Sequence, residues 1–274
     1  MRPRLRPRIL SAATAVLGLL TAAPPASALV GGTPTTEFGQ VRLGVQVLPN
    51  WVITAHHLNY GVGSTFSNGY GSAVVAAAYN FTNAGFPNDD LTLLRLATPI
   101  DAPSLNLADA VLAAGTGYAI DVTLTTGLNQ SPRGYGFSQV REFSPLIDPD
   151  DDGPLGAVPA NLLITYTGHY GGPYVQGGDS GGGLFLGHVT SLAGGAPLWG
   201  IASASITDKD ADGNDINFRS GYVQLGSYRS WLDATLAADT ADAQVLGWVS
   251  TPVPEPATWG LMLLGLCGLA RRRR

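Results

Sequence analysis

Hydrophobic residues in the middle of the chain form short runs that either alternate with polar residues or remain apolar throughout. Clusters of Gly, Pro, Asn and Asp separate these runs, and helical periodicity is almost absent between residues 29 and 252. This pattern predicts many short strands in an all-β sandwich or barrel. The predicted strands lie in VRLGVQVL, NWVITAH, SAVVAAAY, LTLLRL, AIDVTLTT, NLLITYTG, GGLFLG, PLWGIASASI and GYVQL.

One segment near the end of this region has helical periodicity. In SYRSWLDATLAA, residues 227–238, the large apolar side chains of Trp231, Leu232 and Leu236 fall on one side of a helix. The spacing therefore predicts a single amphipathic helix. Small and polar residues with prolines follow it, and we interpret residues 239–252 as a linker.

The first 28 residues have the three parts of a secretory signal peptide. Four arginines precede the apolar run ILSAATAVLGLL, and Ala26-Ser27-Ala28 supplies small residues for cleavage after Ala28. An uncleaved membrane anchor is the alternative, and the closely following Pro24-Pro25 and cleavage site disfavour it. We predict that signal peptidase releases a chain that starts at Leu29.

The last 22 residues form a second targeting segment. The apolar run at 257–270 is short for a membrane span, which needs about 20 residues, and the arginines at 271–274 are expected to stay cytoplasmic. Together with Pro254-Glu255-Pro256, residues 253–274 resemble the PEP-CTERM sorting signal of Gram-negative bacteria. The resemblance implies a precursor held briefly in the inner membrane, processing by an exosortase, and a product at the cell surface or outside the cell. A plain tail anchor is the alternative.

Composition excludes some functions and restricts the chemistry. The formal net charge is −5, and the basic residues are concentrated at the two ends, which argues against a nucleic-acid partner. The only cysteine, Cys267, lies in the C-terminal apolar run, so the exported domain is expected to have no internal disulfide. With 45% hydrophobic residues, a domain of this size can build a sufficient core without one.

Two loops repeat the pattern Asp-x-Asp-x-Asp-Gly, at Asp148–Asp152 and at Asp208–Asp212. Such spacing directs carboxylates toward a hard cation, and the glycine permits the sharp turn. The twelfth positions hold Pro159 and Arg219 instead of an acid. Calcium loops and solvated acidic turns both remain possible, so we assign no metal ligands and expect no other cofactor.

Three further segments contain candidates for catalysis. In GGDSGGG, residues 177–183, glycines on both sides of Ser180 allow its hydroxyl and the nearby N–H groups to approach a substrate. The adjacent Asp179, if buried, needs a cationic partner. The alternative interpretation is a flexible glycine turn.

The other two segments supply a base and an acid. His56 and His57 end the predicted strand WVITA, where a rigid position suits a general base. Asp89 and Asp90 precede the apolar strand LTLLRL, where a carboxylate can orient a histidine ring. A buried structural histidine and a strand-end cap are the corresponding alternatives.

In the order His, Asp, Ser, these segments resemble the chymotrypsin/trypsin-like serine endopeptidase family. WVITAHHL is similar to Trp-Val-Leu-Thr-Ala-Ala-His-Cys, DLTLLRL to Asp-Ile-Ala-Leu-Leu-x-Leu, and GDSGGG to Gly-Asp-Ser-Gly-Gly-Pro. Aligned without gaps, the resemblance places the catalytic residues at His57, Asp90 and Ser180. It implies two Greek-key β-barrels with a C-terminal helix over residues 29–238, and an active site in the cleft between the barrels.

The resemblance also implies a mechanism and a substrate cleft. Ser180 would attack a peptide carbonyl, with the N–H groups of Gly178 and Ser180 as the oxyanion hole. Ser203 and Ser205, in GIASAS, match the strand that lines the cleft. Tyr174 stands six positions before Ser180, where the family sets specificity, and because it is not acidic we do not expect preference for Lys or Arg.

Leu29-Val30-Gly31-Gly32 is similar to the Ile-Val-Gly-Gly start of active family members. In that family the new α-amino group pairs with the counterpart of Asp179. Because Ala26-Ser27-Ala28, and no Lys or Arg, stands immediately before Leu29, we hypothesise that cleavage by signal peptidase alone activates the enzyme. The interval from Leu29 to His57 is short for the family, so the first barrel is expected to be shortened.

These observations favour a secreted serine endopeptidase that acts on protein or peptide substrates. The second hypothesis is a catalytically inactive homologue that serves as a binding protein of the cell envelope or extracellular matrix. A calcium-dependent adhesin is a third, and it depends on the aspartate loops.

Overall fold

The computed structural model describes residues 29–82, 84–126, 134–147, 158–166, 172–210 and 212–251. Strands dominate these residues, joined by short 3₁₀ turns and followed by one α-helix, α1 (Arg229–Ala238). The strands are β1 (Thr33–Pro34), β2 (Val45–Leu48), β3 (Trp51–Thr54), β4 (Thr65–Ser67), β5 (Ser72–Asn80), β6 (Thr92–Leu96), β7 (Asn106–Ala108), β8 (Gly115–Thr125), β9 (Gly134–Ile147), β10 (Val158–Tyr166), β11 (Gly183–Leu186), β12 (Leu198–Lys209), β13 (Asp215–Gln224) and β14 (Gly247–Val249).

Strands β2 to β6, within residues 45–96, form the first half of the domain, a five-stranded antiparallel sheet in the order β2-β3-β6-β5-β4. Strands β4, β5 and β6 follow one another, and β3 lies beside β6, which is a Greek-key arrangement. Every residue of β2 and β3 is buried, as their apolar runs predict. At the end occupied by β4, the Asn68 amide donates to the Gln46 side chain of β2 at 2.5 Å, which links the two ends of the sheet.

Strands β8 to β13, within residues 115–224, form the second half of the domain, which is a closed barrel. The pairings β11-β8-β9-β10-β13-β12 are antiparallel, and a further pairing of β11 with β12 completes a ring of six strands. Strands β8, β9 and β10 are sequential and β11 returns beside β8, so this barrel also has Greek-key order. Two short strands, β7 and β14, extend the sheet beyond β12, and β1 pairs with β9.

The predicted all-β fold with a C-terminal helix is confirmed. Each of the nine predicted runs contains a strand, and α1 buries Leu232 and Leu236 while Trp231 packs partly buried against the same core. Strands β1, β4, β7, β9 and β14 were not predicted from the sequence. The largest omission is the fourteen-residue β9, whose run contains Gly136 and Pro145 and alternates only weakly between polar and apolar residues.

The packed domain extends further than predicted at its C-terminal side. Asp239, the first residue of the predicted linker, is buried and ion-paired with Arg95 of β6 at 2.8 Å. Further on, β14 pairs in parallel with β7, and the Trp248 indole donates to Asp233 of α1 at 2.8 Å. Residues 239–251 therefore fasten both halves of the domain together, and the linker interpretation fails for them.

The two predicted targeting segments, 1–28 and 253–274, lie outside the described residues. Within residues 29–251, with their gaps, no helix has both the length and the apolar character needed to cross a bilayer.

Candidate active site

The pairing of β3 with β6 brings the predicted base and acid together. These strands are antiparallel, with Thr54 opposite Thr92, so the residues just after β3 lie beside those just before β6. His57 stands in the 3₁₀ turn His56–Leu58 that follows β3, and Asp90 lies two residues before β6. Strand register alone thus places them side by side, although they are 33 positions apart.

Asp90 holds His57 through two atoms of the histidine. Its Oδ1 accepts the His57 backbone N–H at 2.8 Å, and its Oδ2 lies 2.6 Å from Nδ1 of the ring. Ser203 of β12 also donates its hydroxyl to Oδ2, at 2.5 Å. The carboxylate is fully buried, which would raise its pKa, but the hydrogen bonds from His57 and Ser203 outweigh burial and lower the pKa of Asp90.

The charge of Asp90 determines the tautomer of His57. An ionised carboxylate can only accept hydrogen bonds, so the ring proton of a neutral His57 lies on Nδ1. Nε2 then presents a lone pair, and it lies 2.8 Å from the hydroxyl oxygen of Ser180. The arrangement can accept a proton from Ser180, which is the geometry that activates a serine nucleophile.

The neighbouring His56 and Asp89 take other partners. Nδ1 of His56 is 3.2 Å from the Thr92 hydroxyl. Asp89 has a left-handed backbone conformation with φ of 52°, and its carboxylate accepts hydrogen bonds from Tyr228 and Asn88. Of the two histidines and two acids in these segments, the pair His57 and Asp90 faces Ser180.

The loop that carries Ser180 is fixed between the two halves of the domain. On one side Gly181 donates to the carbonyl of Ala202 at 2.9 Å, and Ala202 donates to the carbonyl of Gly182 at 2.8 Å. On the other side a Cβ at Gly181 would lie 2.9 Å from the carbonyl group of Leu43, and its φ is +82°. Only glycine permits both this conformation and this close approach.

Two backbone amides of this loop are candidates for an oxyanion hole. Gly178 has a φ of +107°, which turns the chain just before Asp179 and Ser180. Within the described part of the chain, the N–H groups of Gly178 and Ser180 donate to no protein atom. Paired amides beside a nucleophilic hydroxyl are the groups that stabilise a developing oxyanion.

A cleft of about 380 Å³ opens beside His57 and Ser180. One wall belongs to the barrel and consists of β12 and the segment before Ser180, and one aromatic ring comes from the first half. The lining residues are His57, Phe86, Val175, Gln176, Gly177, Ser180, Ala202, Ser203, Ala204 and Ser205. Ser203 and Ser205, which the sequence resemblance assigns to the substrate cleft, are both among these lining residues.

Tyr174 is absent from this lining and has a different environment. Its backbone forms an antiparallel bridge with Val30, and its ring stacks on Phe218 with centroids 4.4 Å apart. Tyr174 is thus not among the described residues that line the cleft, where the resemblance had placed it. The cause is the bridge to Val30, a long-range pairing that a count of positions back from Ser180 does not contain.

Two contributions to the site were missed in the sequence. A register shift in β12 between Ala202 and Ala204 turns the Ser203 hydroxyl toward Asp90, and bulges commonly re-aim side chains in this way. Phe86, in the loop before Asp90, lies edge-on to the His57 ring with centroids 5.1 Å apart. The segment GIASAS placed Ser203 at the cleft but gave no signal for its bond to Asp90, and Phe86 belongs to no motif.

Asp179 is a buried acid with an incomplete set of partners. Its Oδ2 accepts the Gln176 N–H at 3.0 Å, whereas Oδ1 has no hydrogen-bond partner among the described residues. Burial raises the pKa of Asp179 to about 7, and the Gln176 bond offsets this only in part. The side chain of Leu29 is fully buried in the same apolar cluster as Val175 and Tyr222. The carboxylate lies close enough to Tyr222 to contribute, after burial, to the raised pKa of that phenol.

The second aspartate loop is arranged around protein partners. Asp208 is ion-paired with Arg219, and Asp210 accepts the N–H groups of Asp212 and Asn214 within its own turn. Among the described residues no group of three or more His, Cys, Asp or Glu side chains is arranged to hold a metal ion. The first loop, Asp148–Asp152, lies outside the described residues.

Comparisons with known proteins identify the family of the domain and the nature of its C-terminal segment. The family model described as Trypsin matches residues 30–232, and the one described as PEP-CTERM protein-sorting motif matches residues 252–274. Among solved structures, one titled "Kallikrein-related peptidase 10 complex with Zn2+" is 19% identical over 72% of this chain and 89% of that chain, with a TM-score of 0.44. A search of curated proteins found no match.

Proposed function

The chain belongs to the trypsin family, and from that premise we propose that it is a secreted serine endopeptidase with Ser180, His57 and Asp90 as its catalytic triad. The observation that carries the proposal is the continuous contact from Asp90 through His57 to Ser180, with distances of 2.6 and 2.8 Å. A protease domain of this kind implies a protein or peptide substrate.

The proposed reaction is acyl transfer, for which this family is the standard worked mechanism. The Ser180 hydroxyl attacks the peptide carbonyl while Nε2 of His57 accepts its proton. The imidazolium that forms lies against the Asp90 carboxylate, which stabilises its charge. His57 then gives the proton to the departing amine, and an acyl-enzyme remains. In the second half of the reaction, water attacks the acyl carbon while His57 accepts its proton, and His57 then returns that proton to the departing Ser180 oxygen.

The oxyanion of each tetrahedral intermediate would bind to the amides of Gly178 and Ser180. These donors belong to a loop that Ala202 and the backbone at Leu43 hold in place, so they need little reorganisation during the reaction. Ser203 acts on Asp90 and is a positioning residue, because its hydroxyl is engaged with the carboxylate and has no role at the reacting carbon.

We further propose that export creates the active N-terminus. Cleavage after Ala28 by signal peptidase would give Leu29 an α-ammonium group. The buried Asp179, with one oxygen lacking a partner among the described residues, is the acid that this cation would neutralise. No separate propeptide is then required.

The sorting motif at 252–274 indicates export, processing by an exosortase and sorting to the bacterial cell envelope. We propose that the cell is Gram-negative and that the precursor is briefly anchored in the inner membrane by its C-terminal apolar run. The mature enzyme would then act at the cell surface or in the medium.

Labelling with a fluorophosphonate probe tests the nucleophile. We expect the purified domain to be labelled, Ser180→Ala to lose labelling completely, and the matched control Ser230→Ala, at an exposed serine on α1, to retain it. Circular dichroism would verify that each variant is folded. A folded parent protein that takes up no probe would contradict the proposal and support an inactive envelope-binding homologue instead.

A further inference from the structure

We propose that the cleft selects substrates with neutral, apolar side chains next to the scissile bond, and that Phe86 is a specificity-determining residue. This inference rests on the proposed endopeptidase function. It concerns which peptides bind, and its test below therefore includes a measurement that does not need catalysis.

The described residues that line the cleft carry almost no charge. Apart from His57, none of the described residues that line the cleft is ionisable. Asp90 and Asp179 are fully buried and are not among the lining residues: Asp90 is bonded to His57 and Ser203, and Asp179 accepts the Gln176 N–H. A lysine or arginine side chain entering the cleft would lose water without gaining a carboxylate partner, which is strongly unfavourable.

The wall that the barrel contributes to the cleft is mainly apolar. Val175, Ala202 and Ala204 are small apolar residues at this wall. Two of the hydroxyl groups beside them are already engaged, and the side chains of Gln176 and Ser205 complete the polar part of the lining. The Ser203 hydroxyl donates to Asp90, and the buried Ser220 hydroxyl accepts the Val175 N–H at 2.9 Å. This wall therefore offers an incoming side chain mainly apolar contact.

Phe86 lies on the opposite wall of the cleft. The residue is 56% exposed, which is unusual for a phenylalanine, and its ring lines the cleft beside His57. An apolar substrate side chain next to the scissile bond would cover this ring and remove it from water. Phe86 would thus distinguish substrates by the apolar area that they place against it.

These features give a quantitative expectation. One methylene in an apolar enzyme pocket changes kcat/KM by roughly 10- to 200-fold. We expect peptides with Leu next to the cut to be cleaved at least about 100-fold more efficiently than otherwise identical peptides with Lys, because the charge adds its desolvation to the difference in contact.

The experiment uses the mature domain and a mixture-based peptide library, followed by matched peptides with Leu, Ala, Lys or Glu at each position flanking the cut. In parallel, calorimetry measures how tightly the Ser180→Ala variant binds product-like peptides that end in Leu or in Lys. A Leu preference in both measurements supports the inference. Efficient cleavage after Lys, or equal binding of the two peptides, overturns it while leaving the endopeptidase proposal intact.

If no peptide is cleaved and no probe is bound, the proposed function fails, and the calorimetric comparison then decides the inference by itself. Preferential binding of the Leu peptide supports an apolar cleft, and preferential binding of the Lys peptide refutes it.

The role of Phe86 is tested by Phe86→Ala, with Phe137→Ala as the control. Phe137 is also exposed but lines a different hollow, together with Arg141 and His188. We expect Phe86→Ala to lower kcat/KM about 10-fold or more for peptides with large apolar residues, mainly through KM, and to spare the Ala peptides. Phe86→Leu should restore much of the loss. An equal loss on all peptides would instead indicate that Phe86 merely positions His57, and would overturn its assigned role.

Discussion

Adding one residue before Leu29 should destabilise the mature protein at neutral and alkaline pH. The Leu29 side chain is anchored in the buried cluster that contains Val175 and Tyr222. In a chain that begins at Leu29, the α-ammonium is attached directly to this anchor and can neutralise Asp179. An additional glycine replaces that ammonium by a neutral peptide N–H, and the carboxylate then lacks a cationic partner.

The magnitude follows from the pKa of Asp179 without that partner. Burial raises this pKa from 3.8 to about 7. At about 1.36 kcal/mol per pKa unit, keeping the carboxylate buried costs about 4 kcal/mol at pH 7 and above. Since the folded-state pKa is raised, the cost is absent below about pH 4 and grows as pH rises to 7. The ammonium itself loses water on burial, so the stabilisation it provides is at most this amount.

The assay compares the free energy of urea-induced unfolding for chains starting at Leu29 and at Gly-Leu29, each with Asp179 and with Asp179→Asn. We expect the extended chain to be less stable by up to about 4 kcal/mol at pH 8 and by about 2 kcal/mol or less at pH 5. In the Asp179→Asn background the difference should nearly vanish. Equal stabilities at pH 8, or a difference that persists without the carboxylate, would refute the proposed activation pair.

Two further substitutions test contacts that support the site. Ser203→Ala removes a hydrogen bond to the charged Asp90, an interaction worth about 1.5–3 kcal/mol, so kcat/KM should fall roughly 10- to 100-fold in a peptide assay while Ser230→Ala remains unchanged. Asp239→Asn removes the ion pair with Arg95; burial opposes ionisation there, but hydrogen bonds from Tyr79, the backbone and Arg95 lower the pKa to about 2. Because this pKa is depressed, the stabilisation is present above about pH 4 and lost as pH falls toward 2. Thermal unfolding should therefore show a lower midpoint for the variant at pH 7 and a vanishing difference near pH 2.

The residues with distinctive chemistry could be predicted because local sequence determines their surroundings. Ser180 stands between glycines that only a tight, exposed loop requires, and His57 and Asp90 border apolar runs whose lengths identify buried strands. Antiparallel pairing of those strands is then enough to bring the base beside the acid. The nine runs and the helix are equally local, and for this reason the fold class was accessible without coordinates.

The features that the sequence did not predict arise from contacts between distant segments. The hydroxyl of Ser203 reaches Asp90 because of a bulge in β12, and Tyr174 leaves the cleft because its backbone pairs with Val30. Residues 239–251 have the composition of a linker, yet Arg95 and β7 lie where they can bind it. In each case the deciding partner is more than 100 residues away, and no periodicity reports it.

The division of the site between the two halves of the domain explains why these distant contacts matter for catalysis. His57 and Asp90 lie beside strands β3 and β6 of the five-stranded sheet, whereas Ser180 lies before β11 of the barrel and Ser203 lies in β12. Neither half contains the complete set of proposed catalytic groups, so the proposed activity would depend on the interface as much as on either core. The close approach of Gly181 to the backbone of Leu43 sets the interface beside the nucleophile, and the ion pair between Asp239 and Arg95 fastens it elsewhere. A change that loosens either contact should therefore reduce activity before it unfolds the two sheets, because a hydrogen bond such as that from Ser180 to His57 tolerates only a few tenths of an ångström of displacement.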